Sequence, residues 1–375
     1  MTTDATTPTD DLTSATHDEV RQQPQAWRDL HRVLQGRGPA LRAFLDPLLA
    51  RPDLRVVFTG AGTSAFVGDI AAATLRRPLR RRLESIATTD LVSDPRTAFA
   101  EPRPVLLVSF ARSGNSPESV AAVQLADELA PEAHHLVITC NARGRLALDR
   151  DGSGRSFVLL LPEQTHDTGF AMTSSFSTML LAALCAFQED HLGAVEQLAA
   201  AAESVLERTD AVGELLDPLP HRVVHLGSGP LKGLAQEGAL KVLELTAGRT
   251  ASFHDSPLGF RHGPKSVVDD RTLVVVLGSA DPHTARYDAD MAAELRADGT
   301  ARVVHVGADG GFAVPHLDGL PDGLRAVALA VFVQLLALSA SVRHGCTPDD
   351  PFPAGTVNRV VQGVRIHALT GGGDA

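Results

Sequence analysis

The chain has 375 residues, 44% of them hydrophobic and only 4% aromatic, and carries a net charge of −11. The length supports two domains with cores built on Ala, Val and Leu. The acidic balance excludes nucleic acid as the main partner, because a phosphate backbone needs a basic surface.

The N-terminus is polar and acidic. It lacks the basic start and apolar run of a signal peptide, and residues 1–18 are expected to be disordered. No 18-residue apolar run is apparent, so no membrane span or membrane partner is expected. Three scattered cysteines, Cys140, Cys185 and Cys346, form no metal-ligand spacing and suit a reducing cytoplasm. Residues 19–50 read as a helical segment with Trp27, Leu30, Val33 and Leu34 on one face.

Strands and helices then alternate. Arg55 to Phe58 reads as a strand, followed by "GAGTS" (Gly60 to Ser64) and a helix. Val105 to Val108 is a second strand and runs into "SFARSGNSPES" (Ser109 to Ser119), after which a helix begins. Leu136 to Thr139 and Phe157 to Leu161 are the third and fourth strands, and Met172 to Phe187 is a long apolar helix. This order predicts a parallel sheet covered by helices.

The second half repeats the first. "RVVFTGAGTS" at Arg55 is matched by "RVVHLGSGP" at Arg222, "VLLVSF" at Val105 by "LVVVLG" at Leu273, and "VITC" at Val137 by "VVHV" at Val303. The offsets are 167, 168 and 166 residues. Residues 51–210 and 211–345 are therefore expected to be a duplicated α/β pair, each a doubly wound, flavodoxin-like parallel sheet flanked by helices. A Pro- and Gly-rich tail, 346–375, follows.

The loop after Val108 sits where parallel sheets bind ligands. Ser116 suits a helix N-cap and Pro117 the first helical position, so free N–H groups face the loop. Gly114 lets the backbone come close, Ser113 and Ser116 add hydroxyls, and Arg112 adds charge. Together with Thr63 and Ser64 after the first strand, these residues make a phosphate cradle. A well-capped turn with no ligand is the plain alternative. A dinucleotide fingerprint fits poorly, because Ala65 and Phe66 occupy the neighbourhood of the third glycine and no acidic residue ends a following strand.

In "QEGALKVLELTAG" the charges Glu237, Lys241 and Glu244 fall on one face of an otherwise apolar helix. Such a stripe faces a partner or a cavity, or forms an internal ion pair. Downstream, "HDSPLGFRHGPKS" places His254, Asp255, His262 and Lys265 in a Gly/Pro-rich loop. A carboxylate and an imidazole beside a phosphate cradle can act as a general acid/base pair.

Taken together, "GAGTS", "SFARSGNSPES", "EGALKVLEL" and "RHGPKS" resemble the sugar isomerase (SIS) domain family, including the isomerase half of glucosamine-6-phosphate synthase. "EVRQQPQAWR" and "PFPAGTVNRVVQGV" resemble its galactosamine-6-phosphate deaminase/isomerase subgroup, also called tagatose-6-phosphate ketose/aldose isomerase. The resemblance covers nearly the whole chain past Glu19. It implies two tandem SIS domains, a phosphosugar substrate, no metal or redox cofactor, and a homodimer or higher homo-oligomer with shared active sites.

By this resemblance Thr63, Ser64, Arg112, Ser113 and Ser116 hold the phosphate, Glu244 is the enolisation base, and Lys241 stands beside it. His262 opens the sugar ring from the neighbouring subunit. Met172, Thr173 and Ser174 line the sugar pocket. Two departures bear on the reaction. Ala111 replaces a serine of the synthase loop, and Gln362 stands near where the synthase has a Schiff-base lysine. With no glutaminase domain to supply ammonia, the resemblance implies reaction toward ammonia release. Isomerisation without deamination, and a phosphosugar sensor without turnover, remain open on the residues alone.

Overall fold

The structure is a computed structural model and describes residues 12–150, 152–307, 311–361 and 363–369. It opens with helix α1 (Ala15–Arg21). The Ser14 side chain caps it by accepting from the His17 N–H at 3.1 Å. The N–H groups of Ala15 and Thr16 donate to the Asp349 carboxylate at 2.8 and 2.9 Å. A carboxylate at a helix N-terminus answers both the unpaired donors and the positive end of the dipole. The expected disorder of residues 1–18 is therefore corrected for its last part: Ser14 to Asp18 are capped or helical because a residue of the C-terminal tail completes them. Residues 1–11 lie outside the described residues.

Helix α2 (Gln23–Leu49) buries Trp27, Leu30, Leu34, Leu41 and Leu45 at helical spacing. Val33, expected on that face, is partly buried at its edge.

The next stretch runs β1 (Arg55–Thr59), α3 (Thr63–Leu79), β2 (Leu83–Ser85), α4 (Thr88–Ser93), α5 (Pro95–Ala98) and β3 (Val105–Ala111). It continues with α6 (Pro117–Leu129), β4 (Ala133–Thr139), α7 (Arg145–Leu148), β5 (Ser156–Leu160), α8 (Ser174–Phe187), α9 (Val195–Leu206) and α10 (Thr209–Glu214). The five strands are parallel in the order β2-β1-β3-β4-β5, the doubly wound order with its switch point between β1 and β3. Strand β3 is buried along its whole length, as a central strand covered on both faces must be. Leu91 of α4 and Val123 of α6 cover one face. Val67 and Ile70 of α3 and Leu180 of α8 cover the other.

The second stretch runs β6 (Arg222–Gly227), α11 (Pro230–Leu245), β7 (Ala251–Asp255), α12 (Pro257–Phe260), β8 (Thr272–Leu277), α13 (Thr284–Asp298), β9 (Arg302–Val306) and α14 (Asp322–Arg343). Its strands are parallel in the order β7-β6-β8-β9, the arrangement of the first sheet less one strand. Gly62 and Gly229, 167 residues apart, share the same backbone angles, φ 55° and ψ −127°. His254 and Asp255, expected in a loop, lie instead on edge strand β7, paired with β6.

One apolar cluster joins the two sheets, drawing on β1, α3, α8, α11 and α14. Helix α14 corrects the expectation that no long apolar run exists. It holds an 18-residue window of mean hydropathy 1.9, long and apolar enough to cross a membrane, and all of that window is buried inside the fold. Its polar Gln334 is satisfied there by Gln23 at 2.8 Å and by the Thr173 carbonyl at 3.2 Å.

Helices α3 and α11 meet at a glycine. A Cβ on Gly233 would lie 2.6 Å from Ile70 Cγ1. The contact brings the start of α3 up to the middle of α11. Gly233→Ala should therefore cost about 1–3 kcal/mol of stability as α3 is pushed away. The check is the denaturant midpoint, and an unchanged midpoint would mean the crossing has slack.

Candidate active site

The carboxyl ends of β1 and β3 feed two turns that face one cleft. After β1, Gly62 takes its positive φ and α3 starts at Thr63, with Thr63 and Ser64 both buried. After β3, the loop 112–116 turns through Gly114 (φ 66°) into α6. Ser116 caps α6, accepting from the Ser119 N–H at 3.4 Å, and its hydroxyl donates to Ser119 Oγ at 2.6 Å. The next loop braces this one. Asn141 Nδ2 donates to the Ser113 carbonyl at 2.8 Å, and Arg145 N donates to Asn115 Oδ1 at 3.0 Å.

The cleft has a volume of about 240 Å³ and is lined by Ser64, Arg112, Ser113, Ser116, Met172 and Arg359, among others. Arg112 is 7% exposed. It donates to the Phe170 carbonyl at 3.5 Å and to the Arg359 carbonyl at 3.0 Å. Burial pulls its pKa down and the charge of Arg359 adds to that, while Asp167, Cys140 and Glu244 act the other way. Neither Glu244 nor Thr63 lines the cleft, and the charge of Glu244 is the smallest of these effects on Arg112.

On α11, Lys241 is 1% exposed. Its ammonium lies 3.5 Å from Glu237 and donates to Glu244 Oε2. Burial pulls Lys241 down, but Glu237 and Glu244 outweigh it, so its pKa is raised. A lysine held charged in this way is a fixed cation, not a nucleophile. Glu237 is wholly buried, and that burial is the main cause of a pKa pushed up to about 7. Lys241 opposes the shift, and the Thr63 hydroxyl sits near enough to help. That hydroxyl does not reach good hydrogen-bond geometry, and both Glu237 oxygens lack a hydrogen-bond donor. Glu244 differs from Glu237 in access: its side chain is 27% exposed. The stripe is therefore an ion triad with two buried members and one that reaches solvent.

Three expectations land elsewhere. Thr173 and Ser174 do not line the cleft, because Asp167 draws them inward. The Thr173 N–H donates to Asp167 at 2.8 Å and Ser174 Oγ at 2.5 Å, and both residues are buried. Met172 is the one of the three that reaches the cleft, with Ser64 Oγ 3.9 Å from its sulfur. His262 is exposed in the turn after α12 and is not part of this cleft's lining within one chain. Gln362 lies outside the described residues, although its neighbours Val360 and Val361 line the cleft.

Arg359 was not singled out from the sequence. A lone arginine in a Pro/Gly-rich tail offers no periodicity, and only the fold brings it 247 residues back along the chain to Arg112.

The matching loop of the second sheet, after β8, is built from opposite charge. Ser279 N donates to Asp288 at 3.0 Å, and Ser228 Oγ donates to the same carboxylate at 2.5 Å. Ala280 N and Ser279 Oγ donate to Asp322 at 2.6 and 2.5 Å.

A family model described as SIS domain matches residues 48–188. The chain is 53% identical to a protein of Streptomyces coelicolor whose name assigns it provisionally as D-galactosamine-6-phosphate deaminase AgaS, covering 97% of this chain and 98% of that one. It is 47% identical to the D-galactosamine-6-phosphate deaminase AgaS of Escherichia coli, covering 94% and 95%. The crystal structure of tagatose-6-phosphate ketose/aldose isomerase from Escherichia coli superposes with a TM-score of 0.88 at 43% identity, covering 96% of this chain and 98% of that one.

The triad makes stability depend on pH. A carboxyl whose folded pKa is raised binds more protons folded than unfolded, so its contribution falls as pH rises from the usual carboxylate range through about 7. Lys241→Met removes the cation that offsets this. The variant should lose about 3–5 kcal/mol at pH 8, and less near pH 5, where Glu237 takes up a proton. Thermal melts at both pH values test this, and a loss independent of pH would contradict it.

Proposed function

The chain belongs to the SIS-domain family of phosphosugar deaminases and isomerases, and from that premise we propose that it converts galactosamine 6-phosphate and water to tagatose 6-phosphate and ammonia. In this reading the two sheets are tandem SIS domains, the first holding the phosphate and the second supplying the base. The observation that carries the reading is Glu244: a partly exposed carboxylate, fixed by a buried lysine, within the field of an arginine in a serine-lined anion cleft.

The phosphate docks against Ser113, Ser116 and the start of α3, with Arg112 beneath it. His262 moves the proton between ring oxygen and anomeric hydroxyl that opens the ring. Glu244 then takes the C2 proton of the open aldose and returns it at C1. The electron pair of the C2–H bond passes through an enolamine to give a C2 ketimine. Water adds to the imine carbon and ammonia leaves, so the amino sugar ends as a ketose. Lys241 stays charged throughout and fixes the Glu244 carboxylate in place.

His262 is exposed and lies apart from its own chain's cleft, which supports a role in the site of a second copy. The chain would then work as a homodimer or larger homo-oligomer with shared sites.

Ammonia release from galactosamine 6-phosphate, glucosamine 6-phosphate and N-acetylgalactosamine 6-phosphate, compared on purified protein, tests the substrate. Ammonia should come from the first alone. Interconversion of tagatose 6-phosphate and its aldose without ammonia would replace deamination by plain isomerisation.

Glu244→Gln should lower kcat by about 10²–10⁴-fold while KM stays within a few-fold. Near-normal turnover would remove Glu244 from the mechanism.

Co-expression of Glu244→Gln with His262→Ala chains should recover activity that neither variant has alone, up to about a quarter of the wild-type value, because one site in each mixed dimer is intact. No recovery would place both residues in one chain's site.

A further inference from the structure

The tail after Gly345 forms no helix or strand among its described residues, yet it is anchored at three points. Asp349 caps α1. Phe352 packs against Phe170, with ring centroids 5.4 Å apart. Arg359 Nε donates to the Gly169 carbonyl at 2.9 Å, and one Nη donates to the Asp167 carbonyl.

These contacts bring a second guanidinium to the cleft. Arg112 and Arg359 are both anchored on carbonyls of the 167–170 segment, both line the cleft, and Arg112 also holds the Arg359 carbonyl. Among the described residues neither forms an ion pair. Arg55, buried like Arg112, forks onto Glu84 at 2.9 and 3.0 Å, whereas Arg359 is exposed. Glu118 also lines the cleft but forms no ion pair with either guanidinium, and the charge of Arg359 adds to burial in pulling the pKa of Arg112 down, against Asp167 and Glu244. Serine hydroxyls and the start of α6 face the same space. The chemistry that completes this arrangement is a dianion with several acceptor oxygens, as in a phosphomonoester.

We propose that Arg359 is the second cation of the phosphate site, carried to it by the C-terminal tail, and that Arg112 and Arg359 together bind the 6-phosphate of the substrate. This rests on the phosphosugar reading of the cleft and adds a binding residue to it. The bound phosphate then also fastens the tail, because Arg359 joins the ligand to the 167–169 carbonyls.

The test compares Arg359→Gln and Arg359→Lys with wild type. Each is titrated with inorganic phosphate and assayed on galactosamine 6-phosphate, with thermal midpoints recorded to confirm folding. Glutamine can still donate to a carbonyl but carries no charge.

The expected result is that Arg359→Gln weakens phosphate binding and raises KM by about tenfold or more while kcat stays within a few-fold. Lysine should restore part of the loss, as a point charge without the fork. Phosphate affinity in Arg359→Gln equal to wild type would overturn the proposal, whatever happens to kcat. Glutamine and lysine variants weakened equally would also overturn it, since charge would then play no part. If wild type releases no ammonia from any amino-sugar phosphate but the phosphate titrations separate the variants as expected, the substrate assignment fails and the anion site stands.

Discussion

A lysine ammonium buried between two carboxylates is the constraint around which the rest of this molecule is arranged. Lys241 cannot lose its charge without stranding Glu237 and Glu244, and it cannot keep it without both. The desolvation of such a group is worth several kcal/mol, so helix α11 is committed to one rotation and one depth. Gly233 sets that depth against α3, and Gly238 sets it against β6, where a Cβ would meet the His225 ring at 2.7 Å. The same seating leaves Glu244 partly exposed at the helix end. Placing Glu244 and stabilising the fold are thus one arrangement, and loosening the triad would disturb both.

The cleft depends on a different kind of rigidity. Its loop is short, and the loop after β4 braces it through Asn141 and the close approach of Gly144, where a Cβ would sit 2.5 Å from the Ser113 carbonyl. Donors held in this way are fixed before any ligand arrives and would lose little freedom on binding one. The third wall, the tail, is held by side-chain contacts to backbone carbonyls and by one aromatic pair. Two walls are therefore fixed by the sheet, and the third is placed by long-range contacts.

How much of this was legible in the sequence follows the range of the interactions involved. Strands β1, β3, β6 and β8 are rich in apolar residues, and Ser116-Pro117 caps α6 with local chemistry, so both could be read directly. The Glu237–Lys241–Glu244 stripe needed only helical periodicity. Helix α1 was missed because its partner, Asp349, lies 333 residues away. Strand β2 is three residues long and carries no pattern. Thr173 and Ser174 were expected in the pocket only because the family resemblance places them there. The buried Asp167 carboxylate takes their donors instead, and no spacing rule announces that. Arg359 became visible only once the fold had returned the tail to the first sheet.

The two sheets share a strand order and, at Gly62 and Gly229, a backbone conformation, but the loops they present differ in sign. In the second sheet the turn donors are already taken by Asp288 and Asp322, residues of the chain itself. In the first, the corresponding turn faces two guanidiniums with no carboxylate paired to either among the described residues. One half of the molecule carries its counter-ion as part of its own covalent structure and is electrostatically finished when it folds. The other half leaves two guanidiniums unpaired among its described residues, so on the proposed reading an anion entering its cleft would also complete its electrostatics.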